Sequence, residues 1–429
     1  MSRSLPHCLL PCLIAVSLVC SAAPAWAGND DEIPIGNQAS IAGGAVTAKV
    51  DDGAAGYYNP AGLAHNQRPT LDVSAEVYGF RLATSQGILQ TQAGGGTSTR
   101  AIDWVLVPST VTYTRAVGGV WNASLGIFIP RASDMVIRSS LEEGIDHWQV
   151  ATRFEHNDYN YVLSVATKLH PSLRFGFGAI GAYTSIVESL QFGGGQTGQG
   201  VDAFSFSRLF TLSDYGIALS TGIQWDIVKD LTFGLSARSP TLTILRSVER
   251  SEITTLALAS GNTNFSVFDE EDSKFTTVWT VPMRVRAGLA YQFDSGWVSA
   301  DADVASALEA EHVRDRHLNY NVRVGGIFDL AKNAQVGAGV FSDRSPTDGI
   351  DVDFYGVTLG GRFGRDHEAD GGKRALTFAT TLAVRYAYGF GHVPGVVIPV
   401  LGSGAELQET ESDIKYHELS ATVGGTVYF

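Results

Sequence analysis

The stretch WTVPMRVRAGLAYQF, Trp279–Phe293, alternates along its whole length between large apolar residues and polar or small ones. Because successive side chains of a β-strand point to opposite faces, one face of this segment is oily and the other carries Arg284 and Arg286. Its 15 residues exceed the ~5–6 of a common strand and suffice for the ~9–11 that cross a bilayer at a tilt. Alternation alone is equally consistent with a strand of a soluble β-sandwich.

The same alternation recurs along the chain, and aromatic residues stand at the ends of the apolar faces. Tyr215 and Trp225 bracket one such face, and Tyr428–Phe429 end the last one, as in the two interfacial girdles of a membrane barrel. The pattern predicts fourteen strands, at 71–82, 104–116, 120–130, 156–169, 173–186, 212–228, 231–244, 275–293, 296–307, 317–330, 334–343, 351–364, 375–391 and 413–429.

The predicted connections alternate between short and long. Short turns fall at 117–119, 170–172, 229–230, 294–295, 331–333 and 365–374, and long loops at 83–103, 131–155, 187–211, 245–274, 308–316, 344–350 and 392–412. Short turns at one end and long loops at the other are typical of outer-membrane barrels, and an even strand count places both chain ends on one side. We therefore predict an all-β fold, a transmembrane antiparallel β-barrel of fourteen strands over residues 71–429.

The chain ends on an aromatic residue within a spaced pattern, Thr422-x-Gly424-x-x-Val427-x-Phe429. This ending resembles the C-terminal signal that the barrel-assembly machinery of diderm bacteria recognises. An ordinary final strand is the alternative. The expected location is the outer membrane of such a bacterium, in contact with its lipid and lipopolysaccharide.

Residues 1–27 have the features of a secretory signal peptide: Arg3, then an apolar stretch, then Ala25-Trp26-Ala27 before Gly28. The three cysteines, Cys8, Cys12 and Cys20, would leave with this peptide, so we expect no disulfide in the mature chain. Removing Arg3 changes the formal charge from 30 − 44 = −14 to 29 − 44 = −15. Such an acidic chain argues against a nucleic-acid partner.

Residues 28–70 lack any alternating run and contain AVTAKVDDGAAGYYNPAGLA, Ala45–Ala64. A closed barrel has no edge with which this segment could pair. An empty barrel of fourteen strands would leak, so a plug inside the lumen is the expected arrangement.

Within this segment, Asp52–Ala64 resembles the N-terminal hatch of the FadL/TodX family of outer-membrane transporters for hydrophobic compounds. The matching motif is Asn59-Pro60-Ala61-Gly62-Leu63. An Asn-Pro pair by itself is only a turn signal. The resemblance implies that a hydrophobic molecule is caught by an extracellular groove, enters a lumen pocket, and leaves sideways past a kinked third strand when the hatch moves. We expect fatty acids or aromatic hydrocarbons as ligands and a monomer as the working unit.

Three sets of residues fit the parts of this mechanism. Apolar residues in two predicted loops, the second roughly at helical spacing, would form the groove. In the third strand Gly126 and Pro130 would mark a lateral exit, because Pro lacks the N–H that a central strand donates. Inward arginines would contact a ligand carboxylate, although lumen charges in barrels are often paired with each other. The groove set is Leu190, Phe192, Phe204, Phe206, Phe210, Leu245, Val248, Ile253 and Leu256, and the arginine set is Arg284, Arg286, Arg323 and Arg385.

The sequence shows no nucleophile elbow, Walker loop or dinucleotide fingerprint in its strand–helix context, and the histidines lack metal-ligand spacing. We therefore expect neither an enzyme nor a cofactor. Two alternatives to a hydrophobe transporter stay open: a structural or adhesive surface barrel, whose long loops bind a partner, and a water-filled porin.

Overall fold

The computed structural model describes residues 33–65, 68–91, 96–143, 146–196, 203–257, 263–309, 315–346, 351–365, 377–398 and 408–429. The predicted signal peptide lies outside these residues. Residues 33–65, which we call the hatch, contain two short helices, α1 (Asn37–Ile41) and α2 (Ala55–Tyr58), and a 3₁₀ helix (Pro60–His65). No helix in the described ranges is long and apolar enough to cross a bilayer.

The remainder of the described chain forms one sheet that closes on itself and is antiparallel except where Leu89–Thr91 pair in parallel with Val396–Ile398. Its strand segments are β1 (Thr70–Thr91), β2 (Gly96–Val117), β3 (Trp121–Glu143), β4 (Asp146–His170), β5 (Leu173–Gln196), β6 (Ala203–Val228), β7 (Leu231–Arg238), β8 (Thr241–Ala257), β9 (Thr263–Val281), β10 (Arg284–Phe293), β11 (Gly296–Ala305), β12 (Asn319–Ala331), β13 (Ala334–Asp343), β14 (Asp351–Arg365), β15 (Thr377–Ile398) and β16 (Gln408–Tyr428).

These sixteen segments make fourteen crossings of the barrel, because two crossings are each interrupted once. The segments β7 and β8 pair with successive parts of β6, and Ser239–Pro240 separates them. Likewise β9 and β10 are parts of one crossing, separated at Pro282. Proline cannot donate a ladder hydrogen bond, which accounts for a break at each place. The predicted fourteen-stranded antiparallel barrel is confirmed.

The chain ends of the barrel, Thr70 and Tyr428, pair with each other. We call the end of the barrel that carries them the near end, and the opposite end the far end. The near-end connections observed between β2 and β3, β4 and β5, β6 and β7, β10 and β11, and β12 and β13 are short, as predicted.

Near-end halves of the strands turn apolar side chains outward. On β6, Ile217 and Leu219 are each 52% exposed, while Ala218 and Ser220 between and after them are buried. Tyr215 and Trp225 close this apolar face, as the sequence predicts. They are ten residues apart, which at ~3.3 Å per residue and a tilt of ~40° corresponds to about 25 Å. That height matches the apolar band of a membrane barrel.

The two faces exchange their polarity at a row of stacked tyrosines. Tyr159, Tyr183 and Tyr215 lie side by side on β4, β5 and β6, with ring centroids 5.8 and 4.7 Å apart. Beyond this tyrosine row, toward the far end, the inward positions become apolar, as at Phe192 and Leu212, which are buried. The outward positions there are mostly Ser, Thr, Gln and charged residues. The tyrosine row therefore marks where the bilayer-facing band ends.

The reversal explains why the predicted loops 187–211 and 245–274 are wrong. In the structure β5 extends to Gln196, β6 begins at Ala203, and β8 and β9 fill most of the second range. Loops 83–103, 131–155 and 392–412 are likewise largely strand. In these ranges the apolar residues still alternate as in a strand, but they face inward instead of outward. This reversal makes the sequence look like a loop with apolar clusters. The helical spacing predicted for 245–274 is wrong.

We predict that Leu219→Arg destabilises the barrel by about 2–4 kcal/mol, because it places a cation near the middle of the apolar band. Ser205→Arg, at an exposed position on the same strand beyond the tyrosine row, is the matched control and should cost less than about 1 kcal/mol. Urea titration of both variants refolded into lipid vesicles measures the difference. Equal stability losses would show that the tyrosine row is not the membrane boundary.

Candidate functional site

The motif Asn59–Leu63 lies near the C-terminal end of the hatch and is buried. The Asn59 amide nitrogen donates to the carbonyl oxygens of Thr47 (2.8 Å) and Ile223 (2.9 Å), and its amide oxygen accepts from the Ala61 N–H (3.2 Å). Asn59 thus joins two turns of the hatch to β6 of the wall. An unmade buried hydrogen bond costs about 1–3 kcal/mol, so this residue fixes the position of the hatch.

Glycines on the inward face of the wall allow this close approach. A Cβ atom at Gly222 would lie 2.0 Å from the Asn59 amide oxygen, and one at Gly176 would lie 2.3 Å from the Pro60 carbonyl carbon. A Cβ atom at Gly325 would overlap Ala42 in the same way, and one at Gly424 would overlap the Asn37 side chain. The wall is therefore shaped to hold the hatch at several points around the lumen.

Hydrogen bonds from most sides of the barrel hold the hatch in the near half of the lumen. The wall donors and acceptors are mainly side chains, and they reach hatch backbone or side-chain atoms at 2.6–3.2 Å. They are Asp72 to Gly53, Asn122 to Leu63, Gln224 to His65, Ser236 to Tyr58, Asp301 to Thr47, Thr358 to Ile41 and Thr426 to Asn37.

One hatch carboxyl is held in an unusual state by its surroundings. Asp52 is buried, and its oxygens accept the N–H groups of Gln38 and Ala54, each at 3.0 Å. Burial, and after it the neighbouring carboxylate of Asp72, raises the pKa of Asp52 to about 7. A raised pKa means that the docked hatch is most stable below the ordinary value near 4 and loses this stability as the pH rises toward 7.

The arginines predicted as ligand contacts all point inward and are buried, but they bind carboxylates of the protein. Arg284, Arg286 and Arg323 converge on Asp303, at 2.6, 3.1 and 3.1 Å. The Arg286 guanidinium also donates to the Tyr57 carbonyl oxygen (3.2 Å) and lies 5.0 Å from the ring centroids of Tyr57 and Tyr58. This cluster therefore contributes directly to docking the hatch.

The fourth arginine belongs to a separate cluster on β1, β15 and β16. Arg385 binds one oxygen of Glu418 (2.9 Å), and Arg81 binds the other (3.0 Å). The Arg385 guanidinium also lies 4.7 Å from the Phe341 ring centroid. Both arginines and Glu418 are largely buried, so this is a paired network within the lumen.

Above the hatch, inward apolar side chains line the far half of the lumen, which we call the outer chamber. Trp148 and Phe192 stack with ring centroids 5.3 Å apart and an interplanar angle of 14°. Two further groups of apolar residues adjoin them, and Ile137 contacts both this group and the second one. The groups are Trp148, Val150 and Phe192 with Ile137, Leu141, Leu190 and Phe206; Ala83, Ala101, Val352, Ile414 and Tyr416 with Ile137 and Phe354; and Ile186, Leu212 and Val248 with Phe154 and Phe210.

The predicted groove residues divide between the two faces of the wall. Five of them line the outer chamber: Leu190, Phe192, Phe206, Phe210 and Val248. Leu245 and Ile253 are 37% and 41% exposed on the opposite strand face, and so do not belong to the chamber. Phe204 and Leu256 lie on β6 and β8, but their side chains are outside the described part of the structure.

The wall is open between β2 and β3. Their ladder starts at Val117–Trp121 and ends at Thr110–Phe128. Beyond that point β2 continues in pairing with β1, and β3 continues with β4 after an irregularity between Phe128 and Arg131. Near the far end, the Ser139 hydroxyl donates to the Thr97 hydroxyl (2.7 Å) and joins the two strands again. We call the intervening stretch the wall opening.

The two residues predicted to mark an exit differ in position. Pro130 lies on the rim of the wall opening, and Pro108 of β2 lies on the opposite rim. Gly126 pairs with Thr112 in the closed part of the ladder and is not at the opening. The third strand does not end at Pro130 as predicted, because a bulge at this position lets β3 continue to Glu143.

The first described residue of the hatch fills the wall opening, a feature that the sequence analysis missed. The Ile33 N–H donates to the Pro130 carbonyl oxygen (3.0 Å). The Ile33 side chain is 2% exposed and packs against Val107 of β2 and Ala132 of β3, with Ile129 beside them. Hatch and opening are therefore in direct contact.

We predict that Gly222→Ala loosens the hatch, because the added Cβ overlaps the Asn59 amide oxygen and must displace it. Overpacking of this kind costs about 1–3 kcal/mol. The matched control is Gly181→Ala on β5, whose Cβ would meet its nearest neighbour at 3.9 Å. Planar-bilayer recording should show more frequent openings for Gly222→Ala than for Gly181→Ala. Identical closed traces from both variants would contradict the assigned role of Asn59.

Comparison with solved structures identifies the fold. A FadL homologue from Pseudomonas aeruginosa superposes with a TM-score of 0.61 at 14% identity, covering 93% of this chain and 99% of that chain. The toluene transporter TodX from P. putida gives 0.59 at 14% identity over 93% and 99%. The toluene transporter TbuX from Ralstonia pickettii gives 0.54 at 14% identity over 92% and 98%. No family model and no curated protein sequence matches the chain. The chain therefore has the fold of the FadL/TodX barrels, and the resemblance noted in the hatch motif is confirmed at the level of the fold.

Proposed function

We propose that this protein is an outer-membrane channel through which hydrophobic compounds enter a diderm bacterium passively. The observation that carries the proposal is the wall opening between β2 and β3 with Ile33 seated in it. An opening in the side of a barrel, at the end of an apolar chamber, suits a molecule that leaves into lipid and not into water.

The outer chamber is the proposed capture site. Apolar side chains facing inward where the outer wall is polar are costly unless they pack together or bind a ligand. The stacked Trp148 and Phe192 supply a flat apolar surface, and the rest of their group and the two further groups extend it across the lumen. We assign the chamber, with Leu190, Phe206, Phe210 and Val248, the role that the sequence analysis gave to an extracellular groove.

The wall opening is the proposed exit. The opening starts beyond the pair Thr110–Phe128, and Phe128 pairs with Asn160, next to Tyr159 of the tyrosine row. The near-end edge of the opening therefore lies at the boundary of the apolar band, where a ligand can enter lipid. Ile33 would leave its contacts with Val107 and Ala132 to free the passage, and movement of the hatch would accompany this step. Pro130 acts at this point by its carbonyl oxygen, which holds Ile33.

The proposed ligands are fatty acids or aromatic hydrocarbons. Two of the structurally similar proteins are described as toluene transporters, which supports the aromatic class. A ligand carboxylate would reach Arg284, Arg286, Arg323 or Arg385 only in exchange for Asp303 or Glu418, which already bind these guanidiniums. We expect no catalytic step and no cofactor, and we propose a monomer assembled by the barrel-assembly machinery in contact with lipopolysaccharide.

The hatch argues against a water-filled porin, because its buried residues contact the wall on most sides of the near-half lumen. An adhesive barrel is the remaining alternative. It gives no reason for apolar side chains to line the inside of the far half, and a lateral opening would serve no purpose in it.

We predict that Phe192→Arg lowers the uptake of labelled toluene and labelled methyl hexadecanoate at limiting concentration by at least about tenfold. Loss of a buried aromatic surface and the added charge together remove more than ~1.4 kcal/mol of ligand binding. Cells that express the protein are compared with cells that lack it. Phe265→Arg is the matched control, since Phe265 is 66% exposed on the outward face of β9, and it should leave uptake unchanged. Saturable uptake that both variants retain would refute the capture site, and no uptake of either compound would refute the transport function.

A further inference from the structure

A pocket lies directly behind Ile33, between the start of the hatch and the inner wall of β1 and β16. Ile33 and Ala132 form its side toward the wall opening, and Phe80 contributes an apolar surface. Four charged side chains complete it: Glu76 and Arg81 of β1, Arg385 of β15 and Glu418 of β16. On the proposed function, a ligand that leaves through the wall opening passes this exit pocket.

The charges of the exit pocket are equal in number and closely arranged. Glu418 is bound on one oxygen by Arg81 (3.0 Å) and on the other by Arg385 (2.9 Å). Both of its oxygens are therefore engaged. Glu76 is the second carboxyl of the pocket; its residue is 6% exposed, and it interacts electrostatically with Arg385. Two guanidinium groups thus face two carboxyl groups.

Glu76 also lies close to the wall opening, one strand away from its β2 rim. In the sheet it is the direct neighbour of Val107 of β2, one of the residues that hold Ile33. A ligand head group beside Arg385 would therefore lie against Glu76. An ionised ligand carboxylate would compete with Glu76 for Arg385 and would be a third carboxyl group beside only two guanidinium groups. Burying a charge without a partner, or next to a like charge, costs several kcal/mol.

We propose that the exit pocket admits uncharged hydrophobic molecules and rejects ionised carboxylates, and that Glu76 is the residue that determines this specificity. The inference rests on the proposed transport function and narrows its ligand class to neutral compounds such as aromatic hydrocarbons and esters. Other buried arginines have partners outside the pocket: Arg284, Arg286 and Arg323 bind Asp303, and Arg131, beside the opening, lies 3.1 Å from the His156 ring. Replacing Glu76 by a neutral isostere leaves one carboxyl group, that of Glu418, facing two guanidinium groups.

The test uses two ligands of equal chain length, dodecanoate and methyl dodecanoate, both tritiated. Equilibrium binding to the purified full-length protein is measured by scintillation proximity at pH 8, where the free acid is ionised. The wild type should bind the ester more tightly than the acid. Glu76→Gln should raise the affinity for dodecanoate about tenfold relative to the ester, which corresponds to ~1.4 kcal/mol. Glu411→Gln, at an exposed position on β16, is the matched control and should leave the ratio unchanged.

The possible outcomes separate this inference from the function on which it rests. Unchanged ester binding in Glu76→Gln shows that the variant is folded. Tighter binding of dodecanoate than of the ester by the wild type overturns the inference while leaving hydrophobe binding in place, and so does an acid-to-ester ratio that Glu76→Gln does not change. Absence of binding of both ligands to the wild type removes the proposed function itself.

Discussion

The long strands of this barrel present opposite faces to two different surroundings, and those surroundings change along their length. In the near half the outward face is apolar, and the inward face is polar or small because the hatch occupies the lumen. Beyond the row of Tyr159, Tyr183 and Tyr215 the two faces exchange. If the outward face of a strand stayed apolar beyond the bilayer, that face would be exposed to water. The reversal therefore fixes the membrane boundary and creates an apolar chamber at the same time.

The hatch and the wall are shaped for each other, and this determines where a ligand can go. Inward glycines such as Gly176 and Gly222 admit the Asn59–Pro60 turn, and Asp303 with its three arginines holds the other side of the hatch. With the near half filled in this way, a molecule in the outer chamber has two routes: past a moving hatch, or sideways. These two routes are connected at the interrupted β2–β3 ladder. Ile33, which fills the opening and contacts Pro130, belongs to the hatch, so a movement of the hatch also affects the opening.

The sequence predicts the bilayer-facing part of the barrel well, since the period of two with apolar residues outward is clear in strands such as Trp279–Phe293. The far-half extensions were missed because their phase is reversed, so Phe192 and Phe206 look like apolar residues of a loop. The hatch motif was visible in Asn59–Leu63. The carboxylates that pair with Arg284 and Arg385 could not be predicted, because these pairs form between strands whose register is set only in the closed barrel. The position of Ile33 could not be predicted, since a single apolar residue outside any periodic pattern does not indicate which residues it contacts.

The most direct test of lateral exit is to fasten the hatch to the rim of the wall opening. Residues 33–429 contain no cysteine, so Ile33→Cys and Ala132→Cys together introduce one possible disulfide between residues that are in contact in the structure. Its formation is verified by mass, and each single variant serves as a control. The account predicts that uptake of labelled toluene is lost in the oxidised double variant and restored by a reductant. Undiminished uptake with the disulfide intact would contradict exit through the opening between β2 and β3.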